Sequence, residues 1–560
     1  MKQKRVKFGI QIPNNVKEAL EYDRLNQNNL WGEAIVKEMS ALMKARVFDF
    51  YPPNYRVPNN YQYCPLRIIF DVKQEDLRRK ARMVAGGHVI NSSMYESYAS
   101  VVQTRTIRLL ETIAMNEGLS FMTGDIGNAF VHALTKEKIY SVAGPEFDHR
   151  EGCKIIIKKA LYGLATSARQ WNLTLGDVIR KMGFTPSRAD PDLWIKESGN
   201  KDTYEYIATY VDDIIIVSKD PTKYMENIKE VFPIRNEAIM PSYYLGNNLK
   251  LNENRTMKVS SEKYIQEVLR KYQKDHGQMR EEKVPASHND HPEEDDTPHL
   301  NHEGITHFQS IIGICQWISI SGRMDITFAV SSISRFCASP REGHLRRAIK
   351  ILGYLKKYPK KGYLVDPREM ILNVNYKTIK ADFGNQYDDF KEEMDDRLPI
   401  EKMKELPITI MCDSNHGHDR RTGKSITGII VFVGRTPIYW CSKRQGAVQT
   451  STFGAEFVAL KKAVEEAVTT RYWLRSMGVK VSQPTVIYGD NLSAITNTIN
   501  PGRQLNKKYL ALSYHYCREN FSAGIVDIRK IDGKDNYADP FTKALVNHDF
   551  HGHMNDIMVT

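Results

Sequence analysis

Two adjacent aspartates between two apolar runs constrain this chain more than any other feature. In IATYVDDIIIVS, Asp212 and Asp213 follow one β-prone run and precede another, which predicts a hairpin with both charges at its tip. At an effective dielectric constant near 20, two charges about 4 Å apart repel by roughly 4 kcal/mol, a penalty that bound Mg²⁺ reverses. The pattern alone is also compatible with an exposed acidic turn.

A third acid strengthens the interpretation as a metal site. Asp125 lies upstream in MTGDIGNAF, at the end of another β-like run. Phosphoryl transfer to a 3′-hydroxyl requires acids that hold two metal ions in line with the attacking oxygen and the triphosphate. Three acids at two strand ends satisfy this requirement.

Seven short motifs in a fixed order carry a family resemblance. The motifs are KARMVAGG (80–87), YASVVQTRTIR (98–108), DIGNAF (125–130), ALYGLATSARQWN (160–172), DPDLW (190–194), YVDD (210–213) and YYLG (243–246). In this order they resemble the reverse transcriptase of copia-type long-terminal-repeat retrotransposons, within a Pol polyprotein.

The resemblance implies a site for each of these motifs. Asp125, Asp212 and Asp213 match the metal-binding triad, with Asp125 and Asp212 as the direct ligands. Lys80 and Arg82 match the basic fingers motif, and Arg82 is the candidate for the incoming triphosphate, since a guanidinium suits phosphate geometry. The alternative for Lys80 and Arg82 is a solvated basic face.

Further residues match the nucleotide pocket and the primer. Phe130 matches the bulky residue under the sugar, which favours deoxynucleotides, and its alternative is a plain core position. Gly163 lies in the motif that lines the nucleotide pocket. The primer grip is matched by Tyr244, Leu245 and Gly246.

The C-terminal part contains a second set of acids. They are Asp413, Glu456, Asp490 and Asp539, and four such acids can gather around two metal ions that activate water for phosphodiester hydrolysis. Scattered acids are common, so their spacing alone is weak. The run from GKSITGIIVFVGRTPIYWCSKRQ through ADPFTKAL resembles the ribonuclease H domain of the same family. The four acids then map onto its metal ligands, and its substrate would be the RNA strand of a hybrid.

These matches predict an α+β multidomain protein, a right-hand polymerase with fingers, palm and thumb/connection followed by an α/β ribonuclease H-like domain. The predicted parts are an N-terminal segment at 1–60, fingers and palm at 61–275, an acidic histidine-containing linker at 276–304, a helical thumb and connection at 305–365, an irregular connector at 366–406, the ribonuclease H-like domain at 407–548 and a tail at 549–560.

The linker and the helix after it have opposite charge. Residues 281–304 contain eight acids and four histidines with almost no apolar residue, which predicts a segment without a core. His288, His291, His299 and His302 are a weak alternative as metal ligands. Between Leu345 and Tyr363 there are seven basic residues and no acid, so one helix face can pack while the other meets phosphates.

Charge and composition limit the partners and the location. Lys and Arg number 79 against 67 Asp and Glu, a net charge of +12 that favours polyanionic partners. The seven cysteines form no CxxC pair, and no apolar stretch approaches 18 residues, which argues for a reducing compartment and against a membrane span. We predict a cytoplasmic location, in a virus-like particle by the resemblance, with nuclear import through the basic start as an open alternative.

The resemblance also implies the cofactors and partners. Two Mg²⁺ ions are expected at each site, with Mn²⁺ as the alternative. The partners would be an RNA template, a DNA primer, an RNA–DNA hybrid, deoxynucleoside triphosphates and other Pol products such as integrase.

Several departures from the family pattern keep rival functions open. Ala165–Arg169 replace a Lys-Gln-Ser-Pro-Arg run, Gly86 replaces a lysine, and Ser414–His416 replace Trp-Ala-type residues. The family's histidine near KKYLALS is replaced by Tyr509 or is absent. A nucleic-acid-binding remnant without catalysis, and a metal hydrolase with only the C-terminal site working, are the alternatives. The chain would be a terminal piece of a polyprotein, a separately translated fragment or a decayed insertion.

Overall fold

The computed structural model describes residues 5–7, 9–73, 77–372, 383, 387, 389–500 and 511–560. The helices in these ranges are α1 (Val16–Leu25), α2 (Leu30–Lys44), α3 (Thr104–Glu117), α4 (Ser167–Lys181), α5 (Pro221–Lys229), α6 (Glu262–His276), α7 (His302–Ser321), α8 (Thr327–Ser334), α9 (Glu342–Lys357), α10 (Thr452–Ser476), α11 (Leu492–Ile499), α12 (Ala511–Ser522) and α13 (Asn547–Ile557). Among these helices, none has the length and apolar character needed to cross a membrane.

The strands form several separate sheets. They are β1 (Val6–Lys7), β2 (Ile10–Gln11), β3 (Phe48–Tyr51), β4 (Gln62–Tyr63), β5 (Leu66–Val72), β6 (Arg79–Ala85), β7 (Ser120–Ile126), β8 (Ile139–Val142), β9 (Lys154–Ile157), β10 (Thr185–Pro186), β11 (Leu193–Glu197), β12 (Tyr204–Tyr210), β13 (Asp213–Ser218), β14 (Ile234–Ile239), β15 (Tyr243–Tyr244), β16 (Asn247–Leu251), β17 (Met257–Ser260), β18 (Gly362–Val365), β19 (Ile408–Asp419), β20 (Lys424–Val433), β21 (Thr436–Arg444), β22 (Thr485–Gly489) and β23 (Val526–Lys530).

The palm is a six-stranded sheet with helices on both faces. Its strand order is β10-β11-β12-β13-β7-β14. Ile215 and Val217 pack on the side of α3, while Ile214 and Ile216 pack on the side of α4 and α5. Burial on both faces explains why the run after the paired aspartates is continuously apolar rather than alternating.

The DPDLW motif supports the palm rather than the chemistry. Asp190 accepts hydrogen bonds from the amide of Gln103 (3.0 Å) and the hydroxyl of Thr106 (2.5 Å), which caps the start of α3. Asp192 accepts a hydrogen bond from the side-chain amide of Asn172 on α4 (2.7 Å). The two acids therefore fix both helices to the sheet.

The fingers contain the β5–β6 hairpin and the sheet β3-β9-β8-β4. Helix α2 packs on β6. Its start is capped by Asp23, which accepts the amides of Trp31 (3.1 Å) and Gly32 (2.8 Å). The Trp31 ring contacts Phe70 edge-on, with centroids 5.5 Å apart. This makes the N-terminal segment a packed part of the fingers.

The acidic linker is held by ion pairs in place of an apolar core. Glu293 is only 4% exposed and pairs with Arg335 at 2.8 Å. Arg347 on α9 pairs with Asp290 (2.8 Å) and Asp295 (2.5 Å). The linker acids thus cover part of the basic helix face that the sequence assigned to phosphates.

The linker histidines make separate contacts. None of His288, His291, His299 and His302 belongs to a group of three metal-ligating side chains within the described ranges. His288 lies 3.1 Å from the Ala544 carbonyl oxygen and His291 lies 3.1 Å from the Glu293 carboxylate.

The C-terminal sheet has the order β21-β20-β19-β22-β23. Its first three strands are antiparallel, and β22 and β23 run parallel to β19. Along the chain, β19, β20 and β21 are followed by α10, β22, α11, α12 and β23. Residues 501–510, with Tyr509, lie outside the described residues. The α+β multidomain class with an α/β ribonuclease H-like domain is confirmed.

The remaining predicted segments differ in how they pack. The tail is not free, because α13 buries Phe550 and Met554 and Val559 bridges to Gly362. The connector at 366–406 lies partly outside the described residues.

A buried arginine joins the palm to the C-terminal domain. Arg108 on α3 donates to the Ile438 carbonyl oxygen (3.0 Å) and its guanidinium lies 4.0 Å from the Trp440 ring centroid. Tyr206 of the palm sheet donates its hydroxyl to the Met477 carbonyl oxygen (2.6 Å). These contacts fix the two domains to each other.

Candidate active sites

The first candidate site lies where β7 and β12 end and β13 begins. Asp213 and Asp125 are direct partners across the antiparallel pair β13–β7, so their side chains share one face of the sheet. Asp212 lies in the two-residue turn between β12 and β13, after Val211, whose φ is +58°. The amide of Ile126 donates to the Asp212 carbonyl oxygen (2.8 Å), which fixes the turn against β7.

The turn is anchored from the opposite helix. Trp171 on α4, 1% exposed, donates its indole N–H to the Val211 carbonyl oxygen at 2.7 Å. A left-handed conformation is unfavourable for a β-branched residue, so the turn needs such support. Trp171 lies in a motif that the sequence singled out, but its role became visible only in the structure.

The three aspartates repel one another. Partial burial and the charges of Asp212 and Asp125 raise the pKa of Asp213 to about 6. Burial and the charge of Asp125 also raise the pKa of Asp212, while the charges of Arg82 and Lys80 lower it. The basic pair on β6 therefore lies close enough to Asp212 for its positive charges to act on that carboxylate.

An aromatic side chain links the fingers to the palm. Tyr162 lies under the Arg82 guanidinium, 4.5 Å from carbon to ring centroid, and its ring contacts Phe130 with centroids 4.9 Å apart. Phe130 is half-buried, on the short 3-10 turn after β7. Sequence reasoning missed Tyr162, although it precedes Gly163 in a motif that was already singled out.

Two glycines allow the fingers strand to approach this segment. Gly163 has φ +93°, and a Cβ there would lie 2.1 Å from the Ala85 carbonyl oxygen. A Cβ at Gly87 would lie 2.0 Å from the Gly163 carbonyl oxygen. The backbones therefore touch directly, and any side chain at either position would separate β6 from the nucleotide pocket.

The residues assigned to the primer grip form the β15–β16 hairpin. Its turn is Leu245 (φ +44°) and Gly246 (φ +85°). Tyr244 is buried in the core, where burial and the charge of Asp213 raise the pKa of its hydroxyl, while Tyr243 is 41% exposed. The exposed aromatic side chain of this hairpin is thus Tyr243, whose ring centroid lies 5.0 Å from the Lys263 ammonium.

The second candidate site gathers acids from three elements of the C-terminal domain. Asp413 lies within β19, Asp490 directly follows β22, and Asp539 begins a short 3-10 turn. One ligand oxygen from each lies within 4.8 Å of the others, and this is the sole such group of three found in the described ranges. The polymerase aspartates do not meet this criterion, and two of them, Asp125 and Asp212, remain the expected direct ligands.

Burial and mutual repulsion mark this second site as suited to a cation. Burial and the charge of Asp539 raise the pKa of Asp413. Glu456, in the second turn of α10 and 8% exposed, has its pKa raised by burial and by Asp413 and Asp490. Oxygen-rich acidic sites are those that Mg²⁺ prefers, so the four acids fit divalent ions.

Two neighbours in ADPFTKAL complete the site. Thr542 donates its hydroxyl to Asp413 (2.5 Å), and Lys543 donates to Asp539 (2.8 Å). Burial alone lowers the pKa of Lys543, but the contact with Asp539 and the charges of Asp413 and Asp490 raise it overall. Sequence reasoning quoted this motif but assigned a role only to its aspartate.

Comparison with known proteins defines the class of the first site. Residues 54–281 match the family "Reverse transcriptase (RNA-dependent DNA polymerase)". This range contains Lys80, Arg82 and the three polymerase aspartates. This part of the chain is therefore similar to a reverse transcriptase domain.

Curated relatives extend the match beyond this domain. The chain is 26% identical over 546 residues to the retrovirus-related Pol polyprotein from transposon RE1 of Arabidopsis thaliana, covering 95% of this chain and 34% of that protein. It is 24% identical over 567 residues to that from transposon TNT 1-94 of Nicotiana tabacum, covering 96% and 38%. The chain thus spans about a third of the length of these relatives, and the predicted resemblance to a copia-type Pol polyprotein is confirmed.

A solved structure is also similar. The foamy viral protease-reverse transcriptase in complex with double-stranded DNA has a TM-score of 0.48 at 13% identity, covering 89% of this chain and 69% of that chain.

Proposed function

We propose that this chain is an RNA-directed DNA polymerase with ribonuclease H activity, which copies retrotransposon RNA into DNA and hydrolyses the RNA of the hybrid. The observation that carries the proposal is the pairing of Asp125 with Asp213 across two strands, beside the Asp212 turn. The basic pair Lys80 and Arg82 faces this group. A carboxylate cluster opposite a cationic pair is the arrangement that nucleotidyl transfer requires.

At the polymerase site, each group has a distinct task. Asp125 and Asp212 would hold divalent ions, which when bound neutralise the triphosphate and activate the primer hydroxyl. Arg82 would bind phosphate oxygens through its planar fork of donors. Phe130, supported by Tyr162, would close the space beside the 2′ position of the sugar, which favours a deoxynucleotide.

At the second site, the four acids would hold divalent ions for hydrolysis of the RNA strand. Bound metal would supply an activated water and stabilise the leaving oxygen. Thr542 fixes the rotamer of Asp413, and Lys543 adds a positive charge beside the scissile phosphate. The close grouping of Asp413, Asp490 and Asp539 supports this second activity.

The partners and cofactors follow from this chemistry. We propose Mg²⁺ as the physiological metal, an RNA template, a DNA primer, the hybrid product and deoxynucleoside triphosphates, with integrase as a further partner. The site of action would be a cytoplasmic virus-like particle.

Separate substitutions test the two activities. Asp125→Asn should abolish nucleotide incorporation and leave hybrid cleavage intact, while Asp490→Asn should do the reverse. Cleavage without incorporation in the unmodified chain would favour a hydrolase with one working site. Salt-sensitive binding of primed template with neither reaction would favour a binding remnant.

A further inference from the structure

A carboxylate from the N-terminal helix α2 reaches the fingers strand that carries the basic pair. The apolar side chains of α2, including Trp31, Ile35 and Met39, are buried in the fingers core. Glu38 lies beside them and is half-buried. Its Oε1 accepts a hydrogen bond from the amide of Met83 at 3.0 Å.

The strand needs this contact because one of its edges has no neighbouring strand. Within the described residues, β6 forms a two-stranded sheet with β5, and its other edge makes only an isolated bridge from Val84 to Tyr162. On its outer edge, the Met83 amide is satisfied by Glu38 and the Ala85 amide by the Tyr162 carbonyl oxygen (2.8 Å). An unpaired backbone donor in a half-buried place is costly, so these two acceptors fix the strand laterally.

The same strand presents the basic pair on alternate positions. Ala81, Met83 and Ala85 point into the fingers core, and Lys80 and Arg82 point outward. Fixing the Met83 amide therefore fixes the stretch of strand that carries both basic side chains. The amide bound by Glu38 is one residue from Arg82 and three residues from Lys80 along the strand.

The charge of Glu38 also acts on this pair. Burial raises the pKa of Glu38 above its ordinary value, although the Met83 amide, Arg82 and Lys80 each act to lower it. The pKa of Lys80 is lowered overall, because burial and the charges of Arg82 and Lys73 outweigh the opposite effect of Glu38 and Asp71. Tyr162 packs against Arg82 from the neighbouring segment, and the pKa of its hydroxyl is raised by burial and by the charges of Asp212, Glu38 and Asp125, while Arg82 lowers it. The charge of Glu38 thus acts on both basic side chains, and Asp71, the cross-strand partner of Lys80, also acts on Lys80.

We infer that Glu38 is a positioning residue of the nucleotide site, which aims Lys80 and Arg82 through the Met83 amide and whose negative charge weakens their hold on phosphate. The inference rests on the proposed polymerase function. It makes the N-terminal helix part of the nucleotide site rather than a separate segment. The negative charge of Glu38 also favours release of pyrophosphate, which must leave the same basic pair after each nucleotide addition.

Two substitutions at Glu38 separate its hydrogen bond from its charge. Glu38→Gln keeps an oxygen acceptor for the Met83 amide and removes the charge. Glu38→Ala removes both. Glu33→Gln is the matched control, because Glu33 lies exposed on the same helix and its substitution changes the net charge of the chain by the same amount.

The assay is steady-state incorporation on a primed template, with inorganic pyrophosphate as a product inhibitor. Glu38→Gln should lower KM for the deoxynucleoside triphosphate, and the inhibition constant for pyrophosphate, by about three- to tenfold with kcat unchanged, because several phosphate charges lose one repulsive partner. The effect should shrink at 0.5 M salt. Glu38→Ala should raise KM and lose hydrogen-exchange protection at the Met83 amide, which Glu38→Gln retains.

The outcome is distinguishable from failure of the proposed function. Binding of a deoxynucleoside triphosphate to the enzyme on a chain-terminated primer measures affinity without chemistry. If the unmodified chain binds and incorporates nucleotide but Glu38→Gln behaves like Glu33→Gln, the inference is overturned. If the unmodified chain neither incorporates nor binds nucleotide, it is the polymerase function that fails, and protection of the Met83 amide still tests the positioning contact.

Discussion

Replacing Trp171 with phenylalanine should disable the catalytic turn while leaving the palm folded. The indole N–H donates to the Val211 carbonyl oxygen at 2.7 Å, and Val211 holds a left-handed conformation with φ +58°. That conformation costs a β-branched residue roughly 1–2 kcal/mol, and a hydrogen bond of this kind contributes about 1 kcal/mol. The two magnitudes are comparable, so loss of the bond should let the turn relax.

A loss of about 1 kcal/mol corresponds to about a fivefold lower kcat/KM. We therefore expect Trp171→Phe to reduce nucleotide incorporation about five- to tenfold, with hybrid cleavage unchanged. Trp194→Phe is the matched control: Trp194 lies in the same core cluster and is 4% exposed, and its indole nitrogen has no hydrogen-bond partner within the described ranges. Equal loss of incorporation in both variants, or none in Trp171→Phe, would refute the reasoning.

Three further predictions concern the second site and the linker. Thr542→Val removes the hydroxyl that donates to Asp413 (2.5 Å), so hybrid cleavage should fall about tenfold while incorporation is retained. Because Asp413 and Glu456 have raised pKa values in the folded chain, their contribution to stability is present below about pH 4 and is lost as the pH rises through the raised values. Mg²⁺ binds the ionised acids, so it should raise Tm more at pH 8 than at pH 5.5, and an equal shift at both would contradict the assignment. Arg347→Met should speed tryptic cleavage of the linker, whereas its exposed neighbour Arg346→Met should not.

The sequence predicted those features that depend on local pattern. The paired aspartates between apolar runs predicted the β12–β13 hairpin, and the acid-free run from Leu345 predicted a helix with one packed face, which is α9. Such features can be predicted from a short stretch of sequence because strand and helix periods determine which side chains share a face.

Features that depend on contacts between distant segments were not readable. Nothing local to KEMSAL indicates that Glu38 meets the Met83 amide, because the contact joins residues 45 apart in sequence. The linker likewise reads as a solvated acidic run, and only the placement of Arg335 and Arg347 shows why Glu293 is buried. Tyr162 and Lys543 lay in quoted motifs, but their contacts with Arg82 and Asp539 depend on the assembled domains.

The carboxylate geometry of the second site likewise depends on which strands are neighbours. Asp413 lies in the middle of β19, and it reaches Asp490 because β19 and β22 run parallel. Strand adjacency, which sequence does not encode locally, brings the acids together.

The most direct test of the central claim is deoxynucleotide incorporation by the purified chain on a primed RNA template with Mg²⁺. Asp212→Asn should abolish incorporation. Asp220 is an exposed aspartate two residues after β13, and Asp220→Asn should leave incorporation unchanged. If the unmodified chain binds the primed template but adds no nucleotide in Mg²⁺ or Mn²⁺, or if Asp212→Asn retains full activity, the assignment of the polymerase site is contradicted.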